Sequence, residues 1–487
     1  MMTLILLLLV IPLVTMGAVL ALGRYPNIRD AASITGGLVI ALTAFQLFGG
    51  FEQAAPNTIV LAAPVPGLEL AFSLDALGMI FILVASTLWP ITTLFAIGYM
   101  RGHHEPRQTS FYAWFAFSIA CTMAIALSAN LFTLFVFYEL LTLSTYPLVT
   151  HGRNEQAKKG GRTYLIVLLG SSVLFLLPAI IWTWTLTGTL DFVNGGILAG
   201  QASTGVLSIL LVLFVFGVGK AAIMPIHSWL PAAMVAPTPV SALLHAVAVV
   251  KAGVFTILKV VVFIFGLDTL AELPAATWLS YLAAATILIA SVVALRADNL
   301  KRRLAYSTIS QLNYITLGSL LASATALTGS AMHIAMHAFA KITLFFCAGA
   351  ILVMAHKSKV SELDGLGRSM PITMVAFFVA SLGIIGVPPT GGTWSKWLLL
   401  TGTFETHEWV LMATLMLSSL LSIAYLLVIP VRAFLLPDPS ATGSSKITPE
   451  PLSPMIVALS LTAIGTILLF LFPDLVYNLA SNIETSK

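Results

Sequence analysis

The chain has 487 residues, of which 59% are hydrophobic and only 9% are charged, and its formal net charge is +4. Soluble domains usually carry about a quarter charged residues. No water-soluble core could bury this much apolar surface, so the composition excludes a soluble protein and indicates one that lipid covers. The apolar runs are about 20 residues long, which predicts membrane-spanning helices rather than the strands of a barrel.

These runs predict about fourteen membrane-spanning helices, so the predicted fold class is an all-α polytopic membrane protein. The first run has no basic residue before it, which favours a retained membrane span over a secretory signal. The predicted spans are 2–22, 32–50, 74–99, 109–128, 130–150, 161–186, 204–226, 238–266, 276–296, 304–326, 329–354, 372–400, 408–436 and 452–478.

Lysine and arginine residues are distributed unevenly among the predicted loops. Loops after spans one, three, five, nine, eleven and thirteen carry them, whereas the loops after even-numbered spans carry none. Because basic loops stay cytoplasmic, both termini are predicted to be non-cytoplasmic, in a multi-pass protein of the cell inner (plasma) membrane. This loop charge also explains the net charge of +4, so no nucleic-acid partner is predicted.

The two cysteines, Cys121 and Cys347, both fall inside apolar spans. They show no CxxC spacing, and no histidine cluster of the zinc-binding type accompanies them. They are therefore interpreted as packing residues, and the sequence predicts no metal site and no cofactor.

Charged residues inside the predicted spans are the strongest indication of function. A charged side chain at the bilayer centre costs roughly 2.5–3.5 kcal/mol on insertion scales, so it is expected to face a hydrated interior. Lys220, Lys251, Lys341 and Glu139 lie too deep for their side chains to reach the membrane surface.

Two further lysines lie nearer the ends of predicted spans. Lys396 is also expected to face the interior, although its position is less deep. Lys259 lies eight residues beyond Lys251, towards the outer end of its helix. For Lys259 two interpretations stay open: its side chain extends to the membrane surface, or it has a functional role inside the protein.

Glu139 is the one acid near the middle of a predicted span, so it is the natural partner for Lys220. A buried lysine loses part of its preference for the charged form, and a nearby carboxylate restores that preference. An ion pair between the two is predicted to act as a switch. When the pair opens, Lys220 loses its counter-charge and tends to pass its proton onward.

Histidines extend this predicted path. His245 lies six residues before Lys251, so the two share a broad face of one helix. His333, His337 and Lys341 follow one another at i, i+4 and i+8, which places them in one stripe. Histidine titrates near neutral pH and can both donate and accept a proton, which suits proton translocation.

Prolines interrupt spans seven and twelve. Irregular backbone at membrane depth is tolerated only where protein buries it or where it lines water. Two breaks five spans apart predict two inverted five-helix repeats around a central ion site. His227, beside the first break, is expected to make an interhelical hydrogen bond. The prolines at the breaks are Pro225, Pro231, Pro237, Pro388 and Pro389.

The predicted repeats divide the chain into four parts. Residues 1–108 hold spans one to three, and 109–266 form the first inverted repeat, spans four to eight. Residues 267–436 form the second repeat, spans nine to thirteen, and 437–487 hold a polar connector and span fourteen.

Four segments together resemble a known family, the antiporter-like membrane subunits. Its members belong to respiratory complex I, membrane-bound hydrogenases and Mrp-type multisubunit cation/proton antiporters. The segments are HSWLPAAMVAPTPVSALLHAVAVVKAG (227–253), ELLTLSTY (139–146), HAFAKITLFFCAGA (337–350) and GVPPTGGTWSKW (386–397). The resemblance covers essentially the whole chain. It implies fourteen helices, two inverted repeats and a lateral chain of ionisable groups at mid-membrane.

The resemblance also implies roles for individual residues, while Lys259 matches no motif of the family. Glu139 matches the family's glutamate on the fifth helix, and Lys220 matches the lysine on the seventh helix that pairs with it. Lys251, with His245 beside it, matches the family's lysine on the eighth helix. Lys341 matches the central relay lysine, and Lys396 matches the terminal residue of the path on the twelfth helix.

Lys396 and the end of the chain soon after span fourteen are most similar to the D-type component of Mrp antiporters. The M-type component of complex I usually has glutamate at the position of Lys396. The predicted function is therefore a proton-translocating subunit of a Na⁺/H⁺ antiporter. Its expected partners are other membrane subunits, protons, Na⁺ and the lipid bilayer. Whether Na⁺ passes through this chain stays open.

The alternative is a proton-pumping, M- or N-like subunit of an NADH:quinone oxidoreductase or a membrane-bound hydrogenase. The sequence has no G-x-G-x-x-G motif, cysteine cluster or haem signature, so this chain alone cannot carry out a redox step. Whether it belongs to an enzyme complex stays open. A purely structural scaffold would leave the buried charges unexplained.

Overall fold

The computed structural model describes residues 1–51, 58–437 and 450–483. Most of the predicted polar connector, residues 437–451, lies outside the described residues. Within the described residues, fourteen helices account for the predicted spans: α1 Met2–Ala21, α2 Pro26–Gly49, α3 Ala76–Gly102, α4 Gln108–Ala126, α5 Leu131–Val149, α6 Glu155–Thr187, α7 Thr204–Gly217, α8 Thr238–Phe265, α9 Pro274–Arg296, α10 Leu300–Leu320, α11 Ala324–Ala355, α12 Pro371–Ile385 continued by Gly392–Glu405, α13 Trp409–Leu435 and α14 Pro454–Leu471.

Eleven of these helices are long and apolar enough to cross a membrane by length and composition. The remaining three differ for physical reasons. Helices α7 and α12 are interrupted, so each continuous piece is short. Helix α10 has 21 residues but is unusually polar. Its polarity is compatible with a membrane protein because the polar side chains are buried inside the protein rather than exposed to lipid. A helix, continuous or interrupted, lies at each of the fourteen predicted spans, and the helical fold class is confirmed.

Several features differ from the predicted spans, and α6, for example, begins at Glu155 where residue 161 was predicted. The loop after α2 contains an antiparallel hairpin, β1 Ile59–Val65 and β2 Leu68–Phe72, which the sequence did not indicate. Helix α2 begins at Pro26, six residues earlier than predicted, because proline suits the first turn of a helix. The last predicted span ends at Leu471, and a separate short helix, Asp474–Ser481, follows Pro473.

Both predicted helix breaks are present. The first break follows Gly217 and contains both Pro225 and a short 3₁₀ turn at Gly219–Ala221. Pro231 and Pro237 do not break a helix themselves. Pro231 lies in the short helix Trp229–Ala232, and Pro237 directly precedes α8. Pro388 and Pro389 lie between the two halves of α12, and the division into inverted repeats stays a prediction.

Two side chains satisfy backbone groups in the first break. The indole Nε1 of Trp229 donates to the carbonyl of Gly219 at 2.9 Å. The backbone N–H of Met224 donates to the hydroxyl of Thr286, on α9, at 3.2 Å. The irregular segment is therefore packed in protein, which is the condition under which such backbone persists at membrane depth.

Helix α8 lies at the centre of the molecule and is buried along its whole length. It packs closely against the first break, because a Cβ added at Gly253 would overlap the backbone of Lys220 and Ala221. Glycine is required there for this close approach. The fold thus places Lys220, in the break after α7, against the part of α8 that carries Lys251.

Candidate functional site

The central contact of the site joins α8 to α11. The Nζ of Lys251 lies 2.8 Å from Nδ1 of His337, and both side chains are buried. The ring of His337 stacks on that of His333, one turn earlier on α11, with ring centres 5.8 Å apart. The i, i+4 spacing thus brings the two predicted histidines together as the sequence indicated.

His333 continues the contacts towards α10 and α12. Its Nδ1 lies 2.9 Å from the hydroxyl of Ser395, and its Nε2 lies 3.2 Å from Oε1 of Gln311. Ser395 directly precedes Lys396 in the second half of α12. The groups from Lys251 to Ser395 therefore form a polar line in which ring stacking, and not a hydrogen bond, joins His337 to His333, and the line ends at the residue that precedes Lys396.

Lys396 stabilises the break in α12. Its ammonium donates to the carbonyl of Ile385, the last residue before the break, at 3.2 Å, and to the hydroxyl of Ser419 at 3.1 Å. The same ammonium lies 4.5 Å from the centre of the Tyr314 ring. Lys396 thus lies inside the protein, as the sequence predicted.

Lys220 contacts Tyr138, on α5, in three ways. Its Nζ donates to the carbonyl of Tyr138 at 2.7 Å and lies 3.1 Å from the centre of the Tyr138 ring. Its backbone N–H donates to the Tyr138 hydroxyl at 3.2 Å. The side chain is completely buried, and its charge is held by a carbonyl and an aromatic face.

Glu139 and Lys220 form no direct ion pair among the described residues, but their charges interact electrostatically, so the predicted pairing stays a prediction. Among the described residues, no N···O contact within 4.0 Å joins the two side chains, and neither carboxylate oxygen of Glu139 makes a hydrogen bond. Adjacent helix residues point about 100° apart, so an amine seated on Tyr138 is turned away from the next side chain. Glu139 lies one residue from the Lys220 contact.

Lys341 leaves the line of the histidines. Although it continues their stripe on α11, its Nζ donates to the hydroxyl of Ser307, on α10, at 2.7 Å. The predicted run of three titratable groups therefore divides. His333 and His337 connect Lys251 to α12, whereas Lys341 connects α11 to α10.

His245 is buried without a hydrogen bond at either ring nitrogen among the described residues. It lies in a π-helical segment of α8, Leu243–Val247, and its ring contacts that of Phe345 at 4.8 Å. π-Helical segments occur often at functional sites. The predicted role of His245 beside Lys251 stays a prediction, since the hydrogen-bond partner of Lys251 is His337.

Lys259, whose role the sequence left open, forms a partly buried ion pair with Asp75, which directly precedes α3. Its ammonium also lies 4.6 Å and 4.8 Å from the ring centres of Phe192 and Phe263. Its side chain has no exposed surface, so Lys259 does not extend to the exterior of the protein. Asp75 was missed because it caps a helix, which is a common structural role.

Three further sequence interpretations concern single residues. His227 makes a local contact, 3.2 Å from its Nδ1 to the carbonyl of Pro225, so the expected interhelical hydrogen bond is wrong. Cys121 and Cys347 are buried and unpaired, as expected of packing residues. Among the described residues, no group of three or more His, Cys, Asp or Glu side chains could hold a metal ion.

The sequence reasoning missed the uncharged residues that connect the charged ones. They are Tyr138, Ser307, Gln311, Tyr314, Ser395 and Ser419. The available signal was the polarity of α10, which contributes three of them. A helix that is both polar and predicted to lie within the membrane must turn its polar groups inward.

Fold and site together define a polytopic helical membrane protein with connected ionisable side chains in its interior. Residues 128–422 match the family described as "NADH:quinone oxidoreductase/Mrp antiporter, TM". The chain belongs to this family, and the family that the sequence resembled is confirmed.

Known relatives cover the chain to different extents. NADH-quinone oxidoreductase subunit N of Desulforudis audaxviator is 32% identical over 92% of both chains. The A/B component of a probable K⁺/H⁺ antiporter of Rhizobium meliloti is 31% identical over 80% of this chain. That relative and several others are longer, and the chain spans between 39% and 58% of their length.

A solved structure has the same fold. A chain of the Mrp complex from a Dietzia species superposes with a TM-score of 0.86 at 22% identity, with 99% of this chain and 98% of that chain covered.

Proposed function

We propose that the chain is a proton-translocating membrane subunit of a multisubunit monovalent cation/proton antiporter. The observation that carries this proposal is the line from Lys251 through His337 and His333 to Ser395, beside Lys396. Each of these groups can bind or transmit a proton, and burial removes them from competing bulk water. A scaffold would gain nothing from the cost of burying these charges.

Membrane energetics fit a mechanism of small local changes. Moving one charge across 100 mV is worth about 2.3 kcal/mol. Changing the proton affinity of one buried group by one or two pKa units corresponds to about 1.4 kcal/mol per unit. Rearrangement of single hydrogen bonds, such as that between Lys251 and His337, is therefore large enough to couple with ion movement.

The proposed antiporter assignment rests on the likeness to the D-type component of Mrp antiporters. It is supported by the fold shared with the Dietzia Mrp chain and by the K⁺/H⁺ antiporter relative. In this proposal, other membrane subunits are the partners, and protons and Na⁺ are the transported ions. The chain lies in the inner membrane with both termini non-cytoplasmic. Residues 109–266 and 267–436 are its inverted repeats.

A second candidate is a proton-pumping subunit driven by redox chemistry in other subunits. The observation that favours it is the subunit N relative, which aligns with 92% of each chain. The same interior line of ionisable groups would serve this function too. The two candidates therefore differ in the driving force and in the partners rather than in the path.

Purification of the native complex from membranes, followed by reconstitution, separates the candidates. For the antiporter, adding Na⁺ or K⁺ to vesicles that hold a pH gradient dissipates that gradient without NADH or another reductant. The co-purifying subunits are then small membrane proteins without flavin or iron–sulfur absorbance. Reductant-driven acidification without a cation response would replace the antiporter by the pump. Proton movement under neither condition would refute both.

A further inference from the structure

Helix α13 supplies hydroxyl groups to two buried lysines. Ser419 accepts a hydrogen bond from Lys396 at 3.1 Å. Tyr425, six residues later, donates its hydroxyl to Ser307 at 3.1 Å, and Ser307 is also the acceptor for Lys341 at 2.7 Å. One helix thus contacts Lys396 directly and Lys341 through a single intervening hydroxyl.

The position of Tyr425 is tightly fixed. It is completely buried in a π-helical segment of α13, Ile423–Leu427. Its hydroxyl lies 2.9 Å from that of Ser422, and its carbonyl accepts a hydrogen bond from Arg303 at 3.0 Å. A buried hydroxyl between two others has a choice of two acceptors, and the choice decides the direction of the whole hydrogen-bond chain.

The protonation state of Lys341 limits that direction. A charged Lys341 donates to Ser307, and Ser307 then either accepts from Tyr425 as well, as in this structure, or turns its own proton towards Tyr425, which donates to Ser422. A neutral Lys341 accepts from Ser307, and Ser307 then accepts from Tyr425. Hydrogen bonds in such a chain strengthen one another, and those to a charged group are the strongest.

We propose that Tyr425 is a positioning residue of the proton path. Through Ser307 it orients the hydrogen bond of Lys341 and so sets how readily Lys341 gains and releases its proton. Because Ser419 lies on the same helix, α13 links the protonation of Lys341 to the position of Lys396. This inference rests on the proposed function and adds residues that the charged groups alone do not indicate.

Other titratable groups also act on Lys341, and the inference has to stand beside them. Those that interact with it electrostatically are Lys251, His245, His333, His337 and Lys396. None of these is an acid, so none offers a counter-charge. Within the described part of the chain, Ser307 is the hydrogen-bond partner of Lys341, which makes the hydroxyl chain its main source of polar stabilisation.

The test measures the pH profile of proton flux in the reconstituted native complex with Tyr425→Phe. This variant keeps the ring and removes only the hydroxyl. We expect flux to fall about threefold to tenfold, as for one lost hydrogen bond of about 1 kcal/mol, and the profile to shift by about half a pH unit or more. We expect Ser307→Ala to give the same loss of flux and the same shift of the pH profile, and Ser307→Thr, which keeps a hydroxyl, to give normal values. The double variant Tyr425→Phe with Ser307→Ala should lose no more flux than Ser307→Ala alone.

Tyr112→Phe is the matched control, because Tyr112 is also buried, lies on α4, and its hydroxyl has no hydrogen-bond partner among the described residues. Its flux and pH profile should equal those of the unmodified complex. A Tyr425→Phe complex with unchanged flux and profile would overturn the inference, as would an equal change in Tyr112→Phe. Failure of the proposed function is recognised separately, because the unmodified complex would then move no protons, and the inference falls with it.

Discussion

The Nζ of Lys251 and the Nδ1 of His337 lie 2.8 Å apart, and neither side chain reaches the surface. At this distance one proton can be shared between an amine and an imidazole. Lys251 of α8 and the stacked histidines of α11 are therefore expected to act as a unit rather than as separate charges.

A double-mutant cycle tests that unit. Lys251→Met and His337→Leu should each reduce proton flux, and the combined variant should be little worse than either alone. We expect a coupling of about 1 kcal/mol or more, which corresponds to about fivefold in flux, because contacting residues are not additive. Flux in proteoliposomes is the measurement. Strictly additive effects would show that the two residues act independently.

The sequence predicted the helices and the charged residues better than their partners. Apolar runs and the depth of Lys220, Lys251 and Lys341 follow from bilayer physics, so both were predictable. The direct contacts of Lys220 were not predicted, because an acid was expected to contact the buried base. In the structure, a backbone carbonyl and an aromatic face serve instead. Such partners have no charge signature in a sequence.

Lys259 also shows that the sequence does not reveal the partners of buried charges. Its depth left two possibilities open, and the ion pair with Asp75 joins residues 184 positions apart. No local pattern indicates so distant a contact. The uncharged links, Ser307 and Ser395, are equally invisible because isolated serines in membrane helices usually bond to their own helix.

Gly253→Ala tests the close packing of α8 on the first break. The added methyl group would overlap the backbone of Lys220, so the variant should lose about 1–3 kcal/mol of stability and shift Lys220 from its carbonyl partner. Thermal unfolding of the purified complex and proton flux are both measured. Gly170→Ala, where a Cβ meets open space, is the control. Equal behaviour of the two variants would contradict the packing argument.

Lys259→Met tests the ion pair at the start of α3. It leaves Asp75 without its partner, and breaking a buried pair costs about 3–5 kcal/mol, less here because Asp75 keeps some exposure. A lower unfolding temperature is therefore expected, and Lys259→Arg should recover most of it. Lys158→Met, which removes an exposed pair with Glu155, should change little. An unaltered unfolding temperature in Lys259→Met would argue against a structural pair.

Glu139→Gln separates a functional from a structural carboxylate. Because neither oxygen of Glu139 has a hydrogen-bond partner among the described residues, removing the charge should leave the unfolding temperature unchanged. Proton flux should nevertheless fall at least about tenfold, because the charge of Glu139 acts on Lys220, which is bound to the adjacent residue Tyr138. Lost stability with normal flux would assign Glu139 to the fold alone.

Proton flux through the reconstituted complex with Lys220→Met tests the central claim most directly, namely that the buried ionisable groups carry the protons. Methionine is unbranched like lysine and only one atom shorter, but it cannot bind a proton. The expected result is an assembled complex whose cation-coupled or reductant-coupled proton flux is at background, with Lys158→Met at the normal level. Normal flux in an assembled Lys220→Met complex would contradict the account.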